Sequence, residues 1–205
     1  MIGIVDYGMG NLMSVFNAFE YLGSNVTICK TPEELCAVDK IVLPGVGAIS
    51  QCIEKLNRSG FTDALNEHVI KKGKPTLGIC LGMQVMAKVS YEGGTFECLG
   101  WFDAEVVKLK PALNTLKVPN IGWETIRYNQ DLELFQGVPQ DSDFYLVHSY
   151  HMKVCDDAER VATYDYGETV TAAVLKDNIF ATQFHPEKSQ DLGLNVLQNF
   201  INWKP

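Results

Sequence analysis

Cys80, His185 and Glu187 are the residues whose types and spacing suit covalent chemistry. Cys80 lies within Gly78-Ile79-Cys80-Leu81-Gly82-Met83-Gln84, directly after the short apolar run Thr76-Leu77 and at the head of an apolar-periodic segment. That order predicts a strand, a sharp turn and a helix, with the thiol at the turn. Glycines two residues before and two after remove the β-carbons that such an elbow would crowd. The elbow lifts the sulfur past the sheet edge, and an adjacent helix N-terminus favours the thiolate that attacks. Far downstream, His185-Pro186-Glu187 reads as an extended segment in which residues i and i+2 point the same way, so Glu187 can orient the His185 imidazole. Nucleophile, base and orienter together predict an enzyme working through a covalent intermediate on sulfur.

The elements that must position these groups follow from apolar periodicity. Ile2 to Val5, Asn25 to Ile28, Lys40 to Leu43 and Pro75 to Ile79 read as strands, with helices over Leu12 to Leu22, Ile49 to Leu56 and Phe61 to Lys71. Thr31-Pro32-Glu33-Glu34 is a helix start, with Thr31 as cap, Pro32 in the first turn and Glu34 closing a capping box. Strand–helix alternation predicts a mainly parallel sheet flanked by helices, an α/β fold. After about Gly100 the texture becomes that of a smaller antiparallel sheet. Strands are expected at Asp103 to Leu109, Gly122 to Tyr128, Phe144 to Met152, Val170 to Leu175 and Ile179 to Phe184, and a last helix at Leu192 to Trp203. No linker or repeat divides the chain, so residues 1–205 read as one domain. Within this frame His148 and His151 read as structural, His148 being the one placed to shape a substrate site, and His68 reads as a surface residue of its helix.

Composition narrows the class. The 205 residues are 46% hydrophobic and 20% charged, as in an ordinary globular chain long enough to bury a core. A formal net charge of −8 argues against nucleic acid as a partner, which needs a basic surface. Met1 to Asp6 carries no basic leader and reads as a first strand, and no apolar run approaches the roughly 20 residues that span a bilayer. The six cysteines have neither CxxC nor Cys/His spacing, so no metal, cofactor or disulfide framework is expected, and a reducing cytoplasm is. Gly8-Met9-Gly10 lacks the third spaced glycine of a nucleotide-binding turn.

The elbow at Cys80, Pro44-Gly45-Val46-Gly47 and Phe184-His185-Pro186-Glu187-Lys188-Ser189 together resemble the class I, or triad, glutamine amidotransferases. More narrowly, Asp6 to Leu12, Lys117-Val118-Pro119-Asn120-Ile121-Gly122-Trp123 and Val147-His148-Ser149-Tyr150 are similar to the glutaminase subunits of imidazole glycerol phosphate synthase, so the likeness runs the length of the chain. The resemblance implies that Cys80, His185 and Glu187 are catalytic and that the N–H groups of Val46 and Leu81 form the oxyanion hole. It places Gly47, Gln84, Glu92, Ser149 and Tyr150 around L-glutamine. It also implies a partner, a (β/α)8-barrel cyclase that receives ammonia and makes imidazole glycerol phosphate and an aminoimidazole carboxamide ribonucleotide. Pro119, Asn120, Trp123 and Lys188 are the residues expected at that contact.

Asn120 and Glu124 depart from the family pattern on the expected partner face, and Ala181-Thr182 departs from it before Gln183. Two other readings stay open on the sequence: a paralogous amidotransferase feeding an amino-sugar synthase for surface polysaccharide, and a free-standing cysteine hydrolase of the same fold. A catalytically silent binding module is disfavoured by the intact triad.

Overall fold

A computed structural model describes residues 1–112, 115–129 and 131–205. The first half runs β1 (Ile2–Val5), α1 (Leu12–Tyr21), β2 (Val26–Cys29), β3 (Lys40–Gly45), α2 (Ile49–Arg58), α3 (Phe61–Leu65), β4 (Thr76–Cys80) and α4 (Leu81–Gln84). The second half adds β5 (Val89–Ser90), β6 (Phe96–Glu97), β7 (Ala104–Lys108), β8 (Asn120–Tyr128), β9 (Ser142–His148), β10 (Tyr150–Val154), β11 (Arg160–Asp165), β12 (Thr169–Lys176), β13 (Ile179–Thr182) and α5 (Gln190–Asn202).

Nine strands form one sheet in the order β2-β1-β3-β4-β13-β12-β11-β8-β9. The five strands from β2 to β13 are mutually parallel, and the four beyond them antiparallel. The parallel half is apolar on both faces, as a strand covered on both sides must be. Ile4 and Val42 pack towards Phe19 of α1 and Phe200 of α5, whereas Ile41 and Leu43 pack towards Leu56 of α2 and Phe61 of α3. A smaller sheet in the order β10-β7-β5-β6 lies against the second of these cores through Val106 and Met152. It is antiparallel except for the β5–β7 pair, which is parallel. Among the described residues no helix is long and apolar enough to cross a membrane.

Several expectations shift. The segment after Thr31 is a 3-10 turn over Pro32–Ala37 rather than an α-helix, because β3 begins three residues later; the Glu34 carboxylate still accepts the Thr31 N–H at 3.1 Å. The expected helix over Phe61 to Lys71 is α3 continued by a π-turn at Asn66–Lys71. That wide turn rotates His68 off the outer face, so it is buried at 4% exposure with Nε2 3.5 Å from Cys36 Sγ, not at the surface. The expected strand from Phe144 to Met152 breaks at Ser149: β9 pairs with β8 in the large sheet and β10 with β7 in the small one. Strand β11 and the two-residue strands β5 and β6 were not expected, being short or flanked by charge.

Candidate active site

Strands β3, β4 and β13 lie side by side and end together, Gly45 opposite Cys80 and Ile79 opposite Thr182. Ligands of open α/β sheets gather at such carboxyl edges. Cys80 closes β4 with φ 55° and ψ −107°, a conformation few non-glycine residues adopt, typically at a cost of about 1–3 kcal/mol. The elbow is therefore present, and Gly82 explains its tightness: a β-carbon there would stand 1.8 Å from the Leu43 carbonyl oxygen of β3. The helix after Cys80 is a single turn, however, so it supplies little of the helix-end field expected from the sequence. Side chains and carbonyls set the surroundings of the sulfur instead. Gln183 Nε2 donates towards Sγ at 3.7 Å, and the Val147 carbonyl lies 4.0 Å away.

His185 and Glu187 meet as expected, Nδ1–H donating to the carboxylate at 2.8 Å with both side chains nearly excluded from solvent. The route differs from simple strand alternation: His185 is extended, but Pro186–Lys188 form a 3-10 turn that brings Glu187 back under the ring. The His185 backbone is pinned to β9, its N–H donating to the Tyr145 carbonyl at 2.9 Å. Ser189 Oγ donates to the His185 carbonyl and accepts the Tyr145 N–H. Burial works against a charged His185, yet Cys80 and Glu187 together outweigh it and raise the imidazole to about 9. His185 Nε2 is buried and meets no well-formed hydrogen bond among the described residues, and Cys80 is the group beside it that favours its charged form.

A cleft of about 280 Å³ opens over these groups. Of the residues the sequence singled out, it is lined by Cys80, His185, Val46, Leu81, Gly47, Gln84, Glu92, His148, Ser149, Tyr150 and Pro119. Glu187 stands behind His185 rather than in the wall. The Leu81 N–H occupies the first position of α4, where no intrahelical acceptor exists. Val46 follows the last residue of β3, and Gly47 has φ 100°, a left-handed conformation that gives this loop the backbone freedom to turn a peptide. Glu92 points one carboxylate oxygen at the Ile49 N–H, 2.9 Å away, and so sits at the start of α2. Gln84 Nε2 donates both to the Tyr150 carbonyl at 2.7 Å and to Gln183 Oε1 at 3.0 Å. Sequence reading missed Gln183, although a glutamine two residues before His185 at the end of a strand shares its face.

Trp123 is 45% exposed and packs edge-on against Tyr145 with ring centroids 5.9 Å apart. Lys188 Nζ stands 5.9 Å from the same Tyr145 ring, which in turn lies 6.4 Å from His185. Pro119 lines the cleft, and Trp123 and Lys188 lie one ring away from it, both against Tyr145. Asn120 does not belong to that surface. Alternation along β8 turns its side chain inward at 2% exposure, where it donates to Tyr164 Oη at 3.4 Å.

Residues 3–203 match the family profile described as "Glutamine amidotransferase class-I". The chain is 48% identical to "Imidazole glycerol phosphate synthase subunit HisH 1" of Campylobacter jejuni strain RM1221 over 201 residues, covering 98% of this chain and 99% of that one. It is 45% identical to "Imidazole glycerol phosphate synthase subunit HisH" of Chlorobaculum tepidum over 205 residues, covering 99% and 100%. Among solved structures, a glutamine amidotransferase of Thermotoga maritima superposes with a TM-score of 0.64 at 20% identity, covering 98% of this chain and 80% of that one, a likeness of fold.

Proposed function

The chain belongs to the class-I glutamine amidotransferase family, and from that premise we propose that it is the glutaminase subunit of an imidazole glycerol phosphate synthase. Residues 1–205 act as one glutamine amidotransferase domain. The observation that carries the reading is the convergence of Cys80 with the His185–Glu187 pair at the shared end of three parallel strands, under a cleft lined by the glutamine-site residues.

In this mechanism the Cys80 sulfur attacks the side-chain carbonyl carbon of glutamine. The C–O π electrons move to oxygen, and the resulting oxyanion is held by the N–H groups of Leu81 and Val46, each such donor typically worth about 2.7–4 kcal/mol. His185, charged at neutral pH and held by Glu187 beside the sulfur, already carries the proton that the nucleophile gives up and delivers it to the departing nitrogen. Ammonia leaves and a glutamyl thioester remains on Cys80. Water, deprotonated by the same imidazole, then cleaves the thioester to glutamate and restores the thiol. Glu92 meets the α-ammonium, and backbone groups at Ser149 and Tyr150 meet the α-carboxylate. Ammonia free in neutral water is mostly protonated and not nucleophilic. It is therefore passed to a (β/α)8-barrel cyclase docked on the surface that carries Pro119, Trp123 and Lys188. The location is cytoplasmic, where free thiols such as Cys80 stay reduced.

Binding of the partner selects the arrangement in which Val46 N–H faces the oxyanion, the loop being free to turn at Gly47. Glutamate release should accordingly be slow for the purified chain and rise by about 10²–10³ with a barrel cyclase carrying its nucleotide ligand, the cost of one missing oxyanion donor. Full activity without a partner would instead fit a free-standing hydrolase.

A further inference from the structure

A chain of buried hydrogen bonds leads from β8 to the nucleophile, and the donor in each link can be assigned. The Tyr150 carbonyl only accepts, and it takes Gln84 Nε2 at 2.7 Å and His148 Nδ1 at 2.8 Å. His148 Nδ1 therefore carries the ring proton. In the neutral ring Nε2 is an acceptor, so the Tyr164 hydroxyl 2.7 Å away must donate to it. Asn120 Nδ2 donates to Tyr164 Oη in turn. Asn120, Tyr164 and His148 are all at least nine-tenths buried, and burial above all holds His148 neutral, with its pKa lowered to about 4. One proton arrangement is thus available to the chain at neutral pH.

The same reasoning fixes Gln84. Both of its N–H groups are used, one by the Tyr150 carbonyl and the other by Gln183 Oε1. What remains is Gln84 Oε1, an acceptor, on a residue that lines the cleft beside Cys80. A carboxamide N–H2 can donate to it, whereas an ester or carboxylate oxygen opposes it lone pair to lone pair.

We propose that His148 and Tyr164 are positioning residues that hold the Tyr150 carbonyl, and through it the Gln84 carboxamide, so that the site selects substrates bearing an N–H2 group. The proposal rests on the glutaminase reading above. Removing the Tyr164 hydroxyl leaves His148 Nε2 an unpaired acceptor in a dry site and takes away one of the two bonds that fix the ring. The Nδ1–H bond to the Tyr150 carbonyl loosens with the ring, and Gln84, which shares that carbonyl, is held less firmly.

The test compares kcat/KM for L-glutamine and for L-glutamate γ-methyl ester in the complex with the ligand-loaded cyclase. The ester offers the same carbonyl and α-substituents but no N–H. In Tyr164→Phe and His148→Leu the amide-to-ester ratio of kcat/KM should fall about tenfold, the amide losing more than the ester by what one hydrogen bond supplies. In His148→Asn the side-chain N–H stands near the place of Nδ1, and the ratio should return towards wild type. Equal losses on both substrates, or no change in either, would overturn the proposal by making the chain merely structural or irrelevant. A wild-type complex inactive on both would instead overturn the glutaminase reading.

Discussion

His185 is raised to about 9 because Cys80 and Glu187 favour its charged form more strongly than burial opposes it. In the unfolded chain the same imidazole titrates near its ordinary 6.5. Between those two values the folded state holds a proton that the unfolded state has released. Stability contributed by the site is therefore complete below about pH 6.5 and is lost as pH rises towards 9. Glu187→Gln removes one of the two groups that raise the pKa, so its unfolding free energy should decline less steeply across this window. Urea denaturation of both proteins at intervals between pH 6 and 9.5 checks this, and parallel curves would contradict it. At this scale Cys80, His185 and Glu187 were legible because the elbow and the His-Pro-Glu motif are local. Gln183 and Tyr164 were not: Gln183 meets Gln84 and Cys80 across 99 and 103 residues of chain, and Tyr164 meets His148 only because β11 and β9 both flank β8.

The elbow exists because α4 lies directly on the backbone of β3. Gly82 is the residue that permits the contact, and Gly82→Ala would drive a β-carbon into the Leu43 carbonyl. Backbone cannot give way as a flexible side chain can, so the substitution should cost about 3 kcal/mol or more and displace Cys80 from its strained conformation. The expected result is a lower denaturation midpoint together with loss of thiol-dependent turnover; a stable, active variant would contradict the packing argument. The parallel half of the sheet was readable because each strand is a continuous apolar run followed by an amphipathic helix. The antiparallel half was less so. Strand β11 carries Arg160 and Asp165 at its ends, and nothing local marks the break at Ser149, which is set by two different pairing partners. Asn120 shows the same limit: motif likeness placed it at the partner surface, whereas the alternation of β8 turns it inward.

Across the whole molecule, the cleft is lined by Val46 at 40% exposure and by Pro119, while Trp123 and Lys188 both stand against Tyr145, the neighbour of His185. Exposed apolar side chains beside a catalytic cleft suit a docked protein that completes the site and receives its product. In the proposed function the phosphorylated acceptor is bound by that partner. The division of labour proposed above makes the central claim separable, since it gives the release of ammonia to Cys80 and its consumption to another chain. The direct test is Cys80→Ala in the reconstituted complex with the barrel cyclase, measuring product formation once with L-glutamine and once with an ammonium salt as nitrogen source. Glutamine-dependent synthesis should vanish while ammonium-dependent synthesis stays at the wild-type level. Retained glutamine-dependent turnover would contradict the assignment of Cys80 as the nucleophile.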